Sequence, residues 1–176
     1  MNNTTTILLG GGCFWCTESV FCSLSGVVSV VSGYAGGTAE TANYPAVCTG
    51  NTDHVEVVEV SYDETIISTH DILSVFFATH DPTTLNRQGN DIGTQYASVI
   101  YYYNEAQAKT AEQLITELSD DGMNIVTRVQ PAVSFYPAEA YHQNYYANNP
   151  TQAYCAMVIP PKLAKLRASY AHLLRS

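Results

Sequence analysis

The chain reads as an α/β protein with α+β layering, built as one domain over residues 1–176. Two observations carry this. β-Branched, strand-like runs at 5–9, 27–34, 55–62 and 97–103 are separated by stretches with apolar residues at helical spacing. No repeat, low-complexity tract or linker interrupts the 176 residues, which suffice to bury a substantial core.

Residues 5–9 form a short buried strand that runs into Gly10-Gly11-Gly12. A helix follows over 14–25, with Val20, Phe21 and Leu24 at core spacing. After the strand at 27–34, the segment 35–53 is rich in glycine, threonine and asparagine and reads as loop. The clearest strand is 55–62. Ser68 caps a helix running to His80, with Ile72, Leu73, Phe76 and Phe77 on one face. A loop spans 81–94, long enough to carry function. Beyond the strand at 97–103, Asn104 and Gln107 have the form of a capping box for a helix that stops near Gly122. Residues 125–135 are strand-like, with Pro131 confining them to an edge or bulge. A short helix is expected at 138–147, and Pro161 suits the first position of a last helix at 161–174.

Composition narrows the function. The formal charge of −9, with only seven Lys and Arg, argues against a nucleic-acid partner, because phosphate neutralisation needs a basic patch. No apolar run is long enough to span a membrane. Residues 1–6 lack the positive start and long apolar core of a signal peptide. Five cysteines, an odd number without framework spacing, fit a reducing compartment, the cytoplasm, with free thiols at rest.

The chemistry concentrates at Gly10-Gly11-Gly12-Cys13-Phe14-Trp15-Cys16. Cys13 stands where a strand gives way to a helix, so the first free N–H groups of that helix favour its thiolate. Cys16, three residues on, is placed to trap an oxidised Cys13. Glu56 shares a strand face with Val58 and Val60. A carboxyl among valines is desolvated, stays protonated and can give up a proton. The histidines and cysteines lack the second half of a four-ligand metal site, and the triple glycine lacks the Gly-Lys-Ser/Thr of a phosphate loop.

Gly-Cys-Phe-Trp-Cys resembles the active-site motif of the A-type peptide methionine sulfoxide reductases. The resemblance extends through Val31-Ser32-Gly33-Tyr34-Ala35-Gly36-Gly37, His54-Val55-Glu56-Val57-Val58 and the stretch from His80 to Tyr96. It closes with Phe135-Tyr136-Pro137-Ala138-Glu139, Tyr141-His142-Gln143 and Pro160-Pro161-Lys162-Leu163. It implies a two-layer sandwich on a ferredoxin-like mixed sheet. It also implies thiol-dependent reduction of methionine S-sulfoxide, free or in proteins, with thioredoxin as reductant and no metal, flavin or nicotinamide cofactor.

In this resemblance Cys13 attacks the sulfoxide sulfur and Glu56 protonates the oxygen. Tyr34 and Tyr96 hold that oxygen, and Asp91 holds a water or the substrate backbone. Phe14 and Trp15 cradle the S-methyl group. Either Cys155, by its late position, or Cys16, by its proximity, resolves the sulfenic acid. Many relatives carry arginine after Gly-Thr-Gln-Tyr; here Ala97 stands there, which removes that contact but not the chemistry. Three rival readings make different demands. A dithiol exchanger would need both Cys13 and Cys16, a cysteine hydrolase would need His142 and not Glu56, and a binding module would release no methionine.

Overall fold

A computed structural model describes residues 3–175; Met1 and Asn2 of the N-terminal segment, and Ser176, lie outside the described residues. The chain opens with β1 (Thr4–Gly11), α1 (Phe14–Cys22) and β2 (Val27–Ala35). A helical turn α2 (Tyr44–Val47), the strand β3 (Val55–Asp63) and the helix α3 (Thr69–Thr79) follow. A two-residue ladder, β4 (Arg87–Gln88) with β5 (Asp91–Ile92), precedes β6 (Ser98–Tyr102) and α4 (Glu105–Asp120). The last elements are β7 (Arg128–Pro131), β8 (Phe135–Pro137), α5 (Tyr145–Asn148) and α6 (Ala153–Tyr170).

The strands form one sheet in the order β7-β6-β1-β3-β2-β8. Its inner four, β6-β1-β3-β2, are antiparallel throughout, and α1 and α3 supply the two crossovers. This is the β-α-β-β-α-β arrangement of a ferredoxin-like core. β7 adds parallel to β6 and makes the sheet mixed.

β1 and β3 are central and buried on both faces, which explains their unbroken apolar runs. Ile7, Leu9, Val58, Val60 and Tyr62 face the helices and meet Phe21, Ile72 and Phe76. Leu8, Val55, Val57, Val99 and Tyr101 form a second core on the other face. That second core exists because the sheet curls. The step from Pro131 on one edge strand to Phe135 on the other is four residues, and four residues reach at most about 14 Å. Six strands laid flat would put those edges roughly 24 Å apart.

The expected elements stand with four differences. The segment 125–135 is two strands on opposite edges of the sheet, with Pro131 ending the first. The loop 35–53 holds α2, capped by Asn43, whose side chain accepts the Ala46 N–H at 3.0 Å. The short helix at 138–147 is replaced by a 3₁₀ turn at Ala140–His142 and the single turn of α5. The last helix starts at Ala153, capped by Gln152, so Pro160 and Pro161 lie inside it and Cys155 sits in its first turn.

The two predicted caps are present. Ser68 and Asp71 form a reciprocal box. Asn104 accepts from the Gln107 N–H, but the Gln107 side chain reaches Tyr103 N rather than Asn104 N. Among the described residues no helix is long and apolar enough to cross a membrane.

Candidate active site

Cys13 is the N-cap of α1 and half-buried at the point where β1 ends. Gly12 makes the junction possible. Its φ is +102°, and a Cβ there would lie 2.6 Å from the Gln88 side chain. The Cys16 and Thr17 N–H groups turn back to the Cys13 carbonyl at 3.1 and 3.3 Å, bringing the Cys13 and Cys16 side chains onto one side of the first turn. The two sulfurs hydrogen-bond to each other.

This contact corrects the expectation of a thiolate resting on Cys13. The hydrogen bond to Cys16, burial and the nearby Glu56 carboxyl push the Cys13 thiol well up, and the Trp15 N–H offsets only part of this. Cys16 moves the other way. The hydrogen bond from Cys13 lowers it first, against burial, and Lys162 and Tyr154 lower it further. The pair is therefore asymmetric, with Cys13 raised and Cys16 lowered.

Glu56 lies in the middle of β3, on the helix-facing side with Val58 and Val60, and is only 1% exposed. Its Oε1 accepts the Phe14 N–H at 3.1 Å, while Oε2 is buried without a partner. Burial raises its pKa to about 8; the Phe14 N–H opposes the shift, and Asp91 and Cys16 add to it. At neutral pH the group is a carboxylic acid beside the thiol pair. Cys13, Cys16, Asp91, Tyr154, Lys162 and the β4–β5 turn line a cleft of about 320 Å³.

Two thiols at the start of α1 and a carboxyl that accepts the Phe14 N–H now stand together beside one cleft. The family model of peptide methionine sulfoxide reductase matches residues 5–173. The MsrA reductase of Psychrobacter cryohalolentis is 60% identical over 171 residues, which are 97% of this chain and 99% of that one. That of Acinetobacter baumannii is 58% identical over 169 residues, covering 96% and 98%. The chain belongs to the peptide methionine sulfoxide reductase family.

Solved structures agree with this assignment. Reduced Mxr1 of Saccharomyces cerevisiae matches with a TM-score of 0.80 at 36% identity, over 87% of this chain and 90% of that one. Methionine sulfoxide reductase A of Corynebacterium diphtheriae matches with a TM-score of 0.76 at 38% identity, over 86% and 78%. Mxr1 has also been solved in complex with Trx2, a match with a TM-score of 0.56 at 26% identity, over 81% and 85%.

The reductase distributes its aromatic residues unevenly. Phe14 is fully buried, with its ring 5.6 Å from Tyr34 and 5.2 Å from His142. Trp15 is half-buried and held flat: its indole N–H donates to His142 Nδ1 at 3.0 Å, and its ring stacks on Tyr145 at 3.9 Å. Of the two rings, Trp15 is the one that keeps some exposure.

The tyrosines also separate. Tyr34 is fully buried and its phenol donates to Glu139 Oε1 at 2.8 Å, so it is already engaged. Tyr96 is half-buried; burial, then Glu56, Asp91 and Cys13, hold its phenol protonated. Tyr44, which sequence reasoning passed over, is also half-buried and in the field of Glu56 and Cys13. Glu139 Oε2 accepts its N–H at 3.0 Å, so Tyr34 and Tyr44 are tied through one carboxylate. The Asn43 cap followed by Tyr44-Pro45 was the available sign that this loop held an ordered turn.

Asp91, on β5, accepts a short hydrogen bond from the Tyr154 phenol, and that phenol lies 3.9 Å from Cys16 Sγ. Cys155 is fully buried in one apolar cluster with Cys16 and Ile159, and burial, with Cys16 nearby, raises its thiol to about 11. Ala97 packs in the second core against Val55 and Val99, where no charged side chain is needed.

Proposed function

We propose that this chain reduces methionine S-sulfoxide, free or in proteins, through a Cys13 sulfenic acid that Cys16 resolves and a thioredoxin-type dithiol recycles. The observation that carries the reading is Glu56: a carboxyl held protonated near neutral pH, with one oxygen unpartnered, beside a thiol pair. Such a group can donate to the sulfoxide oxygen as sulfur attack proceeds. Cys13 passes its proton to Cys16 as it attacks the sulfoxide sulfur. The oxygen ends on Cys13 and methionine leaves.

Tyr96 and Tyr44 supply the phenols for the oxygen, and Trp15 supplies the apolar wall for the S-methyl group. Tyr34 acts one step back, steadying Tyr44 through Glu139, and Asp91 orients Tyr154 across the cleft. Cys16 is favoured over Cys155 as resolver because it lies one turn from Cys13 in the same cleft and its pKa is lowered, by Cys13 first, whereas burial raises that of Cys155. Reduction of the disulfide by thioredoxin is supported by the structural relative solved with Trx2. The whole chain serves as one catalytic domain, working in the reducing cytoplasm without a bound cofactor.

The test is a single turnover of the reduced protein on S-methionine sulfoxide, with methionine formed and thiols lost counted for wild type, Cys16→Ser and Cys155→Ser. Wild type and Cys155→Ser should each form methionine with two thiols lost, and Cys16→Ser should form methionine with one. Absence of methionine from wild type would overturn the reductase reading. Two thiols lost in Cys16→Ser would overturn Cys16 as resolver.

A further inference from the structure

The mechanism leaves the half-buried cation Lys162 without a role. Lys162, on α6, lines the active-site cleft with Cys13 and Cys16, and it also lines a small void of about 10 Å³ beside Cys16, shared with Thr17, Thr79 and His80. Its Nζ donates to the Thr79 carbonyl at 2.6 Å, at the last residue of α3. That bond engages one of three ammonium protons, and no carboxylate among the described residues pairs with it. An ammonium drawn out of water without a carboxylate needs a counter-charge, and Cys16 is the ionisable group that lines both the cleft and this void with it.

We infer that Lys162 is the positioning residue for Cys16: its ammonium holds the negative charge of the resolving sulfur, both when Cys16 attacks the sulfenic acid and when it leaves during recycling. This rests on Cys16 being the resolver.

The surroundings leave Lys162 as the cation for this task. Cys16 is faced by Cys13 at the start of α1, Glu56 on β3, Asp91 on β5, and Tyr154, Cys155 and Lys162 on α6. Apart from Lys162 these are neutral or acidic. His80, in the same void, is locked between the Phe76 carbonyl and Ser98 Oγ, and burial lowers its pKa to about 4, so it is neutral at pH 7. Asp81 and Lys165 flank Lys162 on its outer side, toward the α3–α6 groove. Burial weakens the hold of Lys162 on its proton, and Cys16 and then Cys13 offset part of that loss.

In resolution, Cys16 releases to solvent the proton it took from Cys13, and the resulting thiolate attacks the Cys13 sulfur. The S–S bond forms and the S–O bond breaks, oxidising Cys16 and reducing the sulfenic sulfur. The oxygen leaves as hydroxide and takes a proton from Glu56, itself re-protonated from solvent, to become water. In recycling, Cys13 is half-buried whereas Cys16 is only 4% exposed, so an incoming dithiol reaches Cys13. Its thiolate bonds to Cys13 and expels Cys16 as a thiolate beside Lys162. The second thiol of the donor then attacks the mixed disulfide and frees Cys13.

The experiment reads Cys16 directly. In Cys13→Ser protein, the rate of iodoacetamide alkylation at Cys16 is followed against pH by peptide mass spectrometry, with Cys22 as internal reference. With Lys162 intact, the midpoint of Cys16 should lie below that of Cys22. Lys162→Met should raise the midpoint of Cys16 by a pH unit or more, about tenfold slower at neutral pH, and leave Cys22 unmoved. Lys162→Arg should keep the low midpoint. A structural cap on α3 alone would shift stability but not this midpoint, so an unmoved Cys16 in Lys162→Met overturns the inference. So does a Cys16 midpoint at or above that of Cys22 with Lys162 present, an arm that holds even where Lys162→Met fails to fold. Thiol counting in Cys16→Ser separately decides whether Cys16 resolves at all.

Discussion

Two cysteines of this reductase occupy comparable backbone positions and have opposite chemistry. Cys16 lies in the first turn of α1 and Cys155 in the first turn of α6, and both are buried in one apolar cluster. Both stand where a helix exposes N–H groups. Yet Cys16 is lowered, by the hydrogen bond from Cys13 and by Lys162, whereas burial raises Cys155 to about 11. The N–H of Cys155 is already taken by Gln152 Oε1 at 2.8 Å. A helix N-terminus is therefore not sufficient to make a reactive sulfur. Specific neighbours decide, and in their absence desolvation wins.

The largest effect expected follows from the shared proton. Cys13→Ser should lower methionine formation by roughly 10³-fold or more, because it removes the attacking sulfur. Measurable turnover in that variant, with Cys16 oxidised, would show that the two sulfurs are interchangeable.

Glu56→Gln comes next, with a loss of about 10²- to 10⁴-fold in the single-turnover rate. The wild-type rate should fall as pH rises through about 8, where Glu56 loses its proton, and the variant should lack that limb. The same shift sets a stability trend. Between the ordinary carboxyl value of about 4.3 and about 8, the folded protein keeps a proton that the unfolded chain has released, so stability declines with rising pH over that window. Urea denaturation across the window should show this slope in wild type and a flatter one in Glu56→Gln.

Much of this site was legible in the sequence, and what was not has physical causes. Cys13 at a strand-to-helix junction, and Glu56 on the face of Val58 and Val60, follow from local periodicity, and local periodicity survives folding. So do the caps at Ser68 and Asn104. What failed were features set by particular side-chain contacts and by the shape of the sheet. The protonation of Cys13 depends on a side-chain bond within a turn whose form a sequence does not display. The engagement of Tyr34 depends on Glu139, 105 residues away. The split of 125–135 onto opposite edges requires a curled sheet, which no residue pattern signals. Pro161 suggested a helix start, but the helix begins earlier, at a Gln152 cap in contact with Cys155.

The phenols give a smaller and more discriminating test. Tyr44→Phe and Tyr96→Phe should each cost about 10- to 100-fold in rate if their hydroxyls meet charge developing on the sulfoxide oxygen. Tyr34→Phe should cost less in rate, because its hydroxyl serves Glu139, and should lower stability by about 1 kcal/mol. Equal rate losses in Tyr34→Phe and Tyr44→Phe would mean that Glu139 transmits the whole effect.

Cys155→Ser should have the smallest catalytic effect and a clear structural one. Its sulfur is fully buried beside Cys16 and Ile159, and no hydrogen-bond partner faces it in that cluster. A serine there buries a hydroxyl among apolar groups and should cost about 1–3 kcal/mol, read as a lower urea midpoint at unchanged slope. Cys155→Ala should lose less, because it removes the sulfur without adding a polar group. Both should keep wild-type methionine formation and two-thiol loss in a single turnover. If Cys155→Ala instead halts after one thiol, then proximity within the cluster, and not the charge beside Lys162, selects the resolving sulfur, and the contrast between the two helix starts loses its chemical meaning.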